Sequence, residues 1–377
     1  MTYHAELAPR RRPWLIAVPL VLVVVLAAAW SAFWYYASRA AEARINDWQA
    51  QQAKAGRVFS CGAQTVGGYP FRIEVRCGDA TVELRDTQPP VALKLKEILV
   101  VAQVWDPKRL IAEFTGPLTT SDPGQAPSIN ATWTLAQASV RGTPAMPERA
   151  SIVADDLKLA GAAPGNPPLF DAKHVEFHAR MQFGSWPHNP AVDLAVKLNA
   201  ASAPALGPYT RDPLDADILA VLHGMKDLAP KPLPARLREW QAAGGRLEIQ
   251  SARLAQGDAL ATATGTLALS QRGRLDGALQ LNVAGLEKIL PTLTGERKGT
   301  PPSLDRAAPA LSAVDRAVPG LGARLAPQAQ GLATGLLGLL GRPVEIEGKR
   351  GVTVPLRFTD GAASFGPIPL GQVPPAF

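Results

Sequence analysis

Three runs between residues 129 and 199 alternate between apolar and polar residues. Ile129, Ala131, Trp133 and Leu135 alternate with Asn130, Thr132 and Thr134. Val175, Phe177, Ala179, Met181 and Phe183 alternate with His174, Glu176, His178, Arg180 and Gln182. Val192, Leu194, Val196 and Leu198 alternate with Asp193, Lys197 and Asn199, and only Ala195 interrupts them. A period of two sends successive side chains to opposite faces of a strand, so each run predicts a strand with one dry and one wet face. The connections SDPGQAPS (121–128), RGTPAMPE (141–148), GAAPGNPP (161–168) and SWPHNP (185–190) suit hairpins and are too short for crossover helices. The sheet is therefore expected to be antiparallel. Further on, GRLEIQSARLAQG, DALATATGTLALSQRG and RLDGALQLNVAG read as a meander with turns at Gly257 and Gly273, and Asp360-Gly361 marks a hairpin near the end.

Helical signals are fewer. Between Arg12 and Arg39 there is no charge, and Trp14 to Tyr36 reads WLIAVPLVLVVVLAAAWSAFWYY. About 20 apolar residues cross a bilayer as helix, and the rings of Trp14 and of Trp30, Phe33, Trp34, Tyr35 and Tyr36 stand where aromatic belts form. A cleaved signal peptide would have a shorter core followed by small residues, so the segment reads as an uncleaved anchor. Arg10 to Arg12 place the N-terminus in the cytoplasm by the positive-inside rule. Ala41 to Gly56 reads as a short helix, and Leu233 to Gly245 as a helical insert stopped by its glycines. Residues 286–342 look helical and proline-broken; within them GLATGLLGLLG (331–341) is too short to span. The expected organisation is a cytoplasmic tail (1–12), a transmembrane anchor (13–37), a juxtamembrane helix (38–56) and a periplasmic β-rich domain (57–377) with helical inserts near 230–245 and 286–342.

The fold class follows from the imbalance. Many one-sided strands supply an apolar area that two or three modest helices cannot cover. The expectation is a mainly β protein built on a large curved antiparallel sheet, half-barrel or sandwich, with a few short helices and an N-terminal transmembrane helix. The sheet must curl on itself, pack on a second sheet, or hold something apolar. Val175, Phe177, Met181, Leu194, Val196, Leu267 and Leu269 are the candidate lining of such a groove, with lipid acyl chains as its candidate ligand. Each would serve equally well as ordinary core.

Charge and chemistry narrow the picture further. The chain has 39 basic and 32 acidic residues; leaving out Arg10, Arg11, Arg12, Arg39 and Glu6 leaves 35 against 31. That balance is too mild and too evenly spread for a nucleic-acid partner. The 35 prolines argue against long helices beyond the N-terminus. Cys61 and Cys77, in an exported domain, are expected to pair in a disulfide, with both thiols on the apolar side and Gly67-Gly68-Tyr69-Pro70 turning the chain between the first two strands. His174 and His178 would bind one metal if helical; on a strand they stand about 13 Å apart, too far for one ion. A solvated strand face is the better reading, and no metal site or cofactor is expected. Neither Asp155-Asp156 nor Asp215/Asp217 forms a compelling acid–base pair, and no nucleophile motif, phosphate loop or dinucleotide fingerprint occurs. The residues point away from an enzyme.

GYPFRIEVRC, PLDAD from Pro213, the GRLEI, GTLAL and GRLDGALQL strands and the closing PLRFTDGAASFGPIPL together resemble the domain of unknown function 2125 family, over most of the chain from Arg57 onward. The resemblance implies a membrane-anchored bacterial envelope protein and brings no catalytic residues. More loosely, the meander is similar to the strands of AsmA-like envelope proteins, which are similar to bridge-like lipid-transfer proteins. The expected function is that of a single-pass inner-membrane protein with a periplasmic β domain handling lipid in envelope assembly. The alternative is a closed-core structural or interaction module for an envelope protein whose identity the sequence does not reveal.

Overall fold

The computed structural model describes residues 14–285 and 342–377, apart from 88, 143–146, 164, 167, 183, 185–187, 189, 207–209, 226–230 and 367. The tail 1–12, Phe183 and the helical expectation over 286–341 lie outside the described residues.

Helix α1 runs unbroken from Trp14 to Lys54 and is long and apolar enough in its first half to cross a membrane. The boundary expected at 37/38 does not interrupt it. Ser38-Arg39-Ala40-Ala41-Glu42 contains no helix breaker, and Arg39 pairs with Glu42 one turn on at 3.2 Å. The two expected segments form one continuous rod. The second helix, α2 (Leu233–Ala242), matches the expected insert; its buried Trp240 donates Nε1–H to the carbonyl of His223 at 2.7 Å.

Among the described residues one sheet of eighteen strands follows α1. Its first half holds β1 (Arg57–Ser60), β2 (Ala63–Gly67), β3 (Arg72–Leu84), β4 (Val91–Gln103), β5 (Asp106–Ser121), β6 (Ile129–Thr132), β7 (Leu135–Arg141), β8 (Arg149–Gly161), β9 (Pro168–Met181) and β10 (Ala191–Ala201). Its second half holds β11 (Leu214–His223), β12 (Arg246–Gln256), β13 (Ala259–Leu269), β14 (Leu275–Ala284), β15 (Arg342–Ile346), β16 (Lys349–Thr359), β17 (Ala362–Phe365) and β18 (Ile368–Gln372). Strands pair antiparallel with their sequence neighbours, as short connections require, except that β1 and β2 both pair with β3, β6 and β7 share the space between β5 and β8, and β16 pairs with β14. Asp360 and Gly361, both at positive φ, turn β16 into β17 as the sequence predicts.

The run 129–135 departs from a single strand. It breaks at Trp133–Thr134 because the indole N–H of Trp133 turns aside to donate to the carbonyl of Phe114 at 2.8 Å, while Thr134 donates its backbone N–H to Asp155 at 3.0 Å. The break belongs to a crease crossing the sheet. Gly62 stands opposite Asp79, whose φ is 47°. Lys96 follows on β4, then the extra residue at Gly116-Pro117 on β5, then Trp133–Thr134. Asp156 (φ 51°) continues the line on β8, and Ala200 (φ 47°) ends it on β10. Along this crease the apolar period slips by one residue. Ile73, Val75 and Cys77 give way to Ala80, Val82 and Leu84; facing them, Ile98 and Val100 give way to Leu95 and Leu93. Partner strands slip at the same level, so apolar residues keep apolar partners on both sides of the crease. Such irregularities bend a sheet and strengthen its twist.

The ends of the sheet do not meet: β1 and β2 pair only with β3, and β18 only with β17, among the described residues. Among the described residues its buried apolar side chains are mostly alanines, and the largest fully buried ones are Val192 and Val354. This is an open, curved sheet with a thin core.

Candidate functional site

Directly opposed residues of an antiparallel sheet share a face, so the register assigns each side chain. From Val66 on β2 it leads to Val75, Val100, Ala112 and Ala138. It continues to Ile152, Phe177 and Val196. It then passes through Ile218, Ala252, Ala263 and Leu281 to Val354 on β16. No polar residue interrupts this row. At about 4.8 Å per strand it follows the sheet for about 58 Å, a length no single globular core requires. The flanking rows are also apolar: Val175 faces Leu198, and Leu194 faces Ala220.

The candidate groove residues fall on this face. Val175 and Phe177 on β9 neighbour Leu194 and Val196 on β10, whereas Leu267 and Leu269 on β13 stand three strands away from β10, about 14 Å. Phe177 is 38% exposed, and the other five except Met181 are partly buried. Met181, only 4% exposed, is packed rather than accessible and is corrected from groove lining to core. The most exposed apolar residue of the row, Ile152 at 52%, escaped the sequence reading. Its signal was there in Ala150, Ile152 and Ala154, which alternate with Ser151 and Val153. Val153 on the wet side blurred it.

The opposite face of the same strands carries a polar chain. Nδ1 of His174 lies 2.5 Å from Asp155 and Nε2 lies 2.6 Å from Glu176. Glu176 also meets Nε2 of His178 at 3.2 Å, and Nδ1 of His178 meets the hydroxyl of Ser151 at 2.8 Å. Both nitrogens of His174 face carboxylates, which only accept, so the ring is favoured as imidazolium. Hydrogen bonding to Asp155 first and Glu176 second raises its pKa above the ordinary value, and the bonds to His174 and His178 lower that of Glu176. The sequence expectation that His174 and His178 sit on a polar strand face holds; the two rings are joined through Glu176. Beside them opens a cleft of about 680 Å³ edged by Arg149, Ser151, His178, Leu219 and the Arg180–Asp193 ion pair. Ser151 has a base at hand. Its strand, however, is paired on both sides, with β7 and β9, so its backbone N–H groups are committed to the ladder and offer no oxyanion donors. Asp155 and Asp156 also part company: Asp155 joins His174, and Asp156 accepts from the hydroxyl of Thr134 at 3.0 Å.

At the anchor end the first strand is split. β1 pairs with the far half of β3 and β2 with its near half, and Cys61 sits at the split. The corner Gly68–Phe71 therefore joins β2 to β3, with β1 and β2 together playing the part of the single first strand expected. Gly68 lies at φ 96°, and a Cβ there would come within 2.7 Å of the carbonyl of Arg72, so only glycine fits. Cys61 and Cys77 form the expected disulfide, with Cα atoms 5.2 Å apart, and Cys77 faces Ile98 on the apolar side.

A family model described as an uncharacterized protein conserved in bacteria (DUF2125) matches residues 34–374. The chain belongs to this family. The matched region takes in the whole sheet, the disulfide and the upper part of α1, and leaves the apolar segment 14–33 outside. No curated protein matches the chain.

Proposed function

We propose that this DUF2125 protein is a single-pass inner-membrane protein whose sheet stands in the periplasm and carries acyl chains along its apolar face. The observation that carries the reading is the unbroken row from Val66 to Val354, exposed at Ile152 and Phe177. Exposed apolar side chains grouped on one continuous apolar face mark a binding surface. Retention of α1 as an anchor, against cleavage as a signal sequence, is supported by its bonds to the folded domain: Trp30 and Trp34 donate to Pro70 and Arg72, at 2.9 Å each. The thin core supports the open groove over the closed-core interaction module.

The test is native mass spectrometry of the full chain extracted from membranes in mild detergent. Bound phospholipid is expected on the native chain and strongly reduced on an Ile152→Asp, Phe177→Asp double variant, whose substitutions fall on exposed side chains and spare the core. A folded native chain that never carries lipid would sink the reading.

A further inference from the structure

The tip formed by the β2–β3 corner and the adjacent β4–β5 turn presents a cluster of exposed aromatic side chains. Tyr69, Phe71 and Trp105 are each more than half exposed. The two turns are tied together, since Val104 donates its N–H to the carbonyl of Phe71 at 3.2 Å and the rings of Phe71 and Trp105 stand 6.3 Å apart. The tip is also fixed to α1 at one level. Trp30 donates to Pro70 and Trp34 to Arg72, Ser31 shares a hydrogen bond with the hydroxyl of Tyr69 at 2.8 Å, and Trp34 meets the Tyr69 ring edge-on at 5.4 Å.

That level is set by the helix. From Trp14 to Trp34 an α-helix rises about 30 Å, the thickness of a bilayer's hydrocarbon core. Trp30 and Trp34 therefore stand at the far interface when Trp14 stands at the near one, which is where indole rings prefer to lie. The chain returns to the same level by simple geometry. The helix climbs about 30 Å from Trp34 to its end at Lys54, and the strands from Arg57 to Gly67 descend about 33 Å at 3.3 Å per residue.

We propose that Tyr69, Phe71 and Trp105 form a membrane-docking surface, seated in the headgroup region of the bilayer that α1 crosses. The docked tip fixes the orientation of the sheet as a single helix cannot. It also brings Val66 and Val75, the first members of the apolar row, to within about 10 Å of the lipid, three residues along the strand. The proposal rests on α1 as an anchor and is independent of whether acyl chains occupy the row.

The test uses the full chain reconstituted in phosphatidylcholine–phosphatidylglycerol vesicles, with the photo-crosslinking residue p-benzoylphenylalanine placed in turn at Phe71, Trp105, Val24 and Gln125. Val24 reports the anchor, and Gln125 is an exposed residue at the opposite end of the strands. Lipid adducts are expected at 71, 105 and 24, with none at 125. Adducts at 24 without any at 71 or 105 would overturn the docking surface and leave the anchor standing. Adducts from 71 or 105 to a second copy of the chain would overturn it in favour of a protein contact. No adduct at 24 would remove the anchor and the proposal with it.

Discussion

The anchor end and the far end of the sheet share a topology and are held in different ways. At the α1 end, β1 to β3 are fixed by side chains: the indoles of Trp30 and Trp34, the Cys61–Cys77 bridge, and the tilted contact of Trp48 with Phe59 at 4.7 Å. In the meander β12 to β14 the strands are held by their ladder, by close backbone approach and by side chains that tie them to the last strands, Arg253 to Glu347 at 2.6 Å and Thr353 to Asn282 at 2.6 Å. Gly265 and Gly277 sit opposite Leu279 and Leu267, and a Cβ at either would lie 2.2 Å from a carbonyl of the neighbouring strand. The difference shows where position must be specified. Beside α1 the sheet is set against a foreign element, the helix, which demands bonds between them. Further out the long-range ties run between strands and turns of the same sheet, as Ser270 to Asp360 and Arg253 to Glu347 do.

The sharpest way to break the comparison is at the meander. Gly265→Ala would force β13 and β14 apart and place alanine at φ 143°, so a loss of about 3 kcal/mol is expected, read as a lowered thermal midpoint by circular dichroism. An unchanged midpoint would mean that the close approach is dispensable. At the anchor end, replacing both Cys61 and Cys77 by Ala should cost a similar amount, about 3 kcal/mol for a loop of this length in the chain-entropy model, measured by guanidinium unfolding under oxidising conditions. Wild type treated with reductant should match the double variant; a clear gap between them would point to packing rather than the crosslink.

A smaller effect is expected from Trp34→Phe, which keeps the ring and removes the donor to Arg72. The loss should be about 1 kcal/mol, seen as faster proteolysis at the corner with the meander unaffected. The smallest concerns the polar chain midway between the two ends. His174 has a raised pKa, so its contribution is full below its ordinary value near 6.5 and fades as pH rises through the raised one. Glu176 has a lowered pKa, so its contribution is present above its ordinary value near 4.5 and fades as pH falls through the lowered one. Stability should therefore be greatest in mildly acid solution and decline on both sides, by well under about 1 kcal/mol because these groups are partly solvated. His174→Gln should flatten the alkaline side of a thermal-midpoint profile taken against pH.

Much of this was open to reading from residues alone. The alternation of Val192, Leu194, Val196 and Leu198, the turns at Gly257, Gly273 and Asp360-Gly361, and the helix at Leu233 depend on local periodicity and turn chemistry, which sequence carries directly. The expected Cys61–Cys77 pairing is met by the bond itself. The crease was legible only in retrospect. The three-residue step from Cys77 to Ala80, repeated from Ala154 to Leu157 and from Ala172 to Val175, is its signature, yet one slip looks like noise until the register aligns them across strands.

The sequence by itself determined which residues are dry, which segment is long and apolar enough to enter a membrane, and that neighbouring strands pair, because each of these is a property of consecutive residues. Tertiary structure alone decided that the dry faces of separate strands join into one row, that His174, Glu176, His178, Asp155 and Ser151 meet, and that the corner at Tyr69 and Phe71 returns to the level of Trp30 and Trp34. Those facts depend on register and on the matched lengths of a helix and a strand pair, and such sums over distance are invisible to any window along the chain.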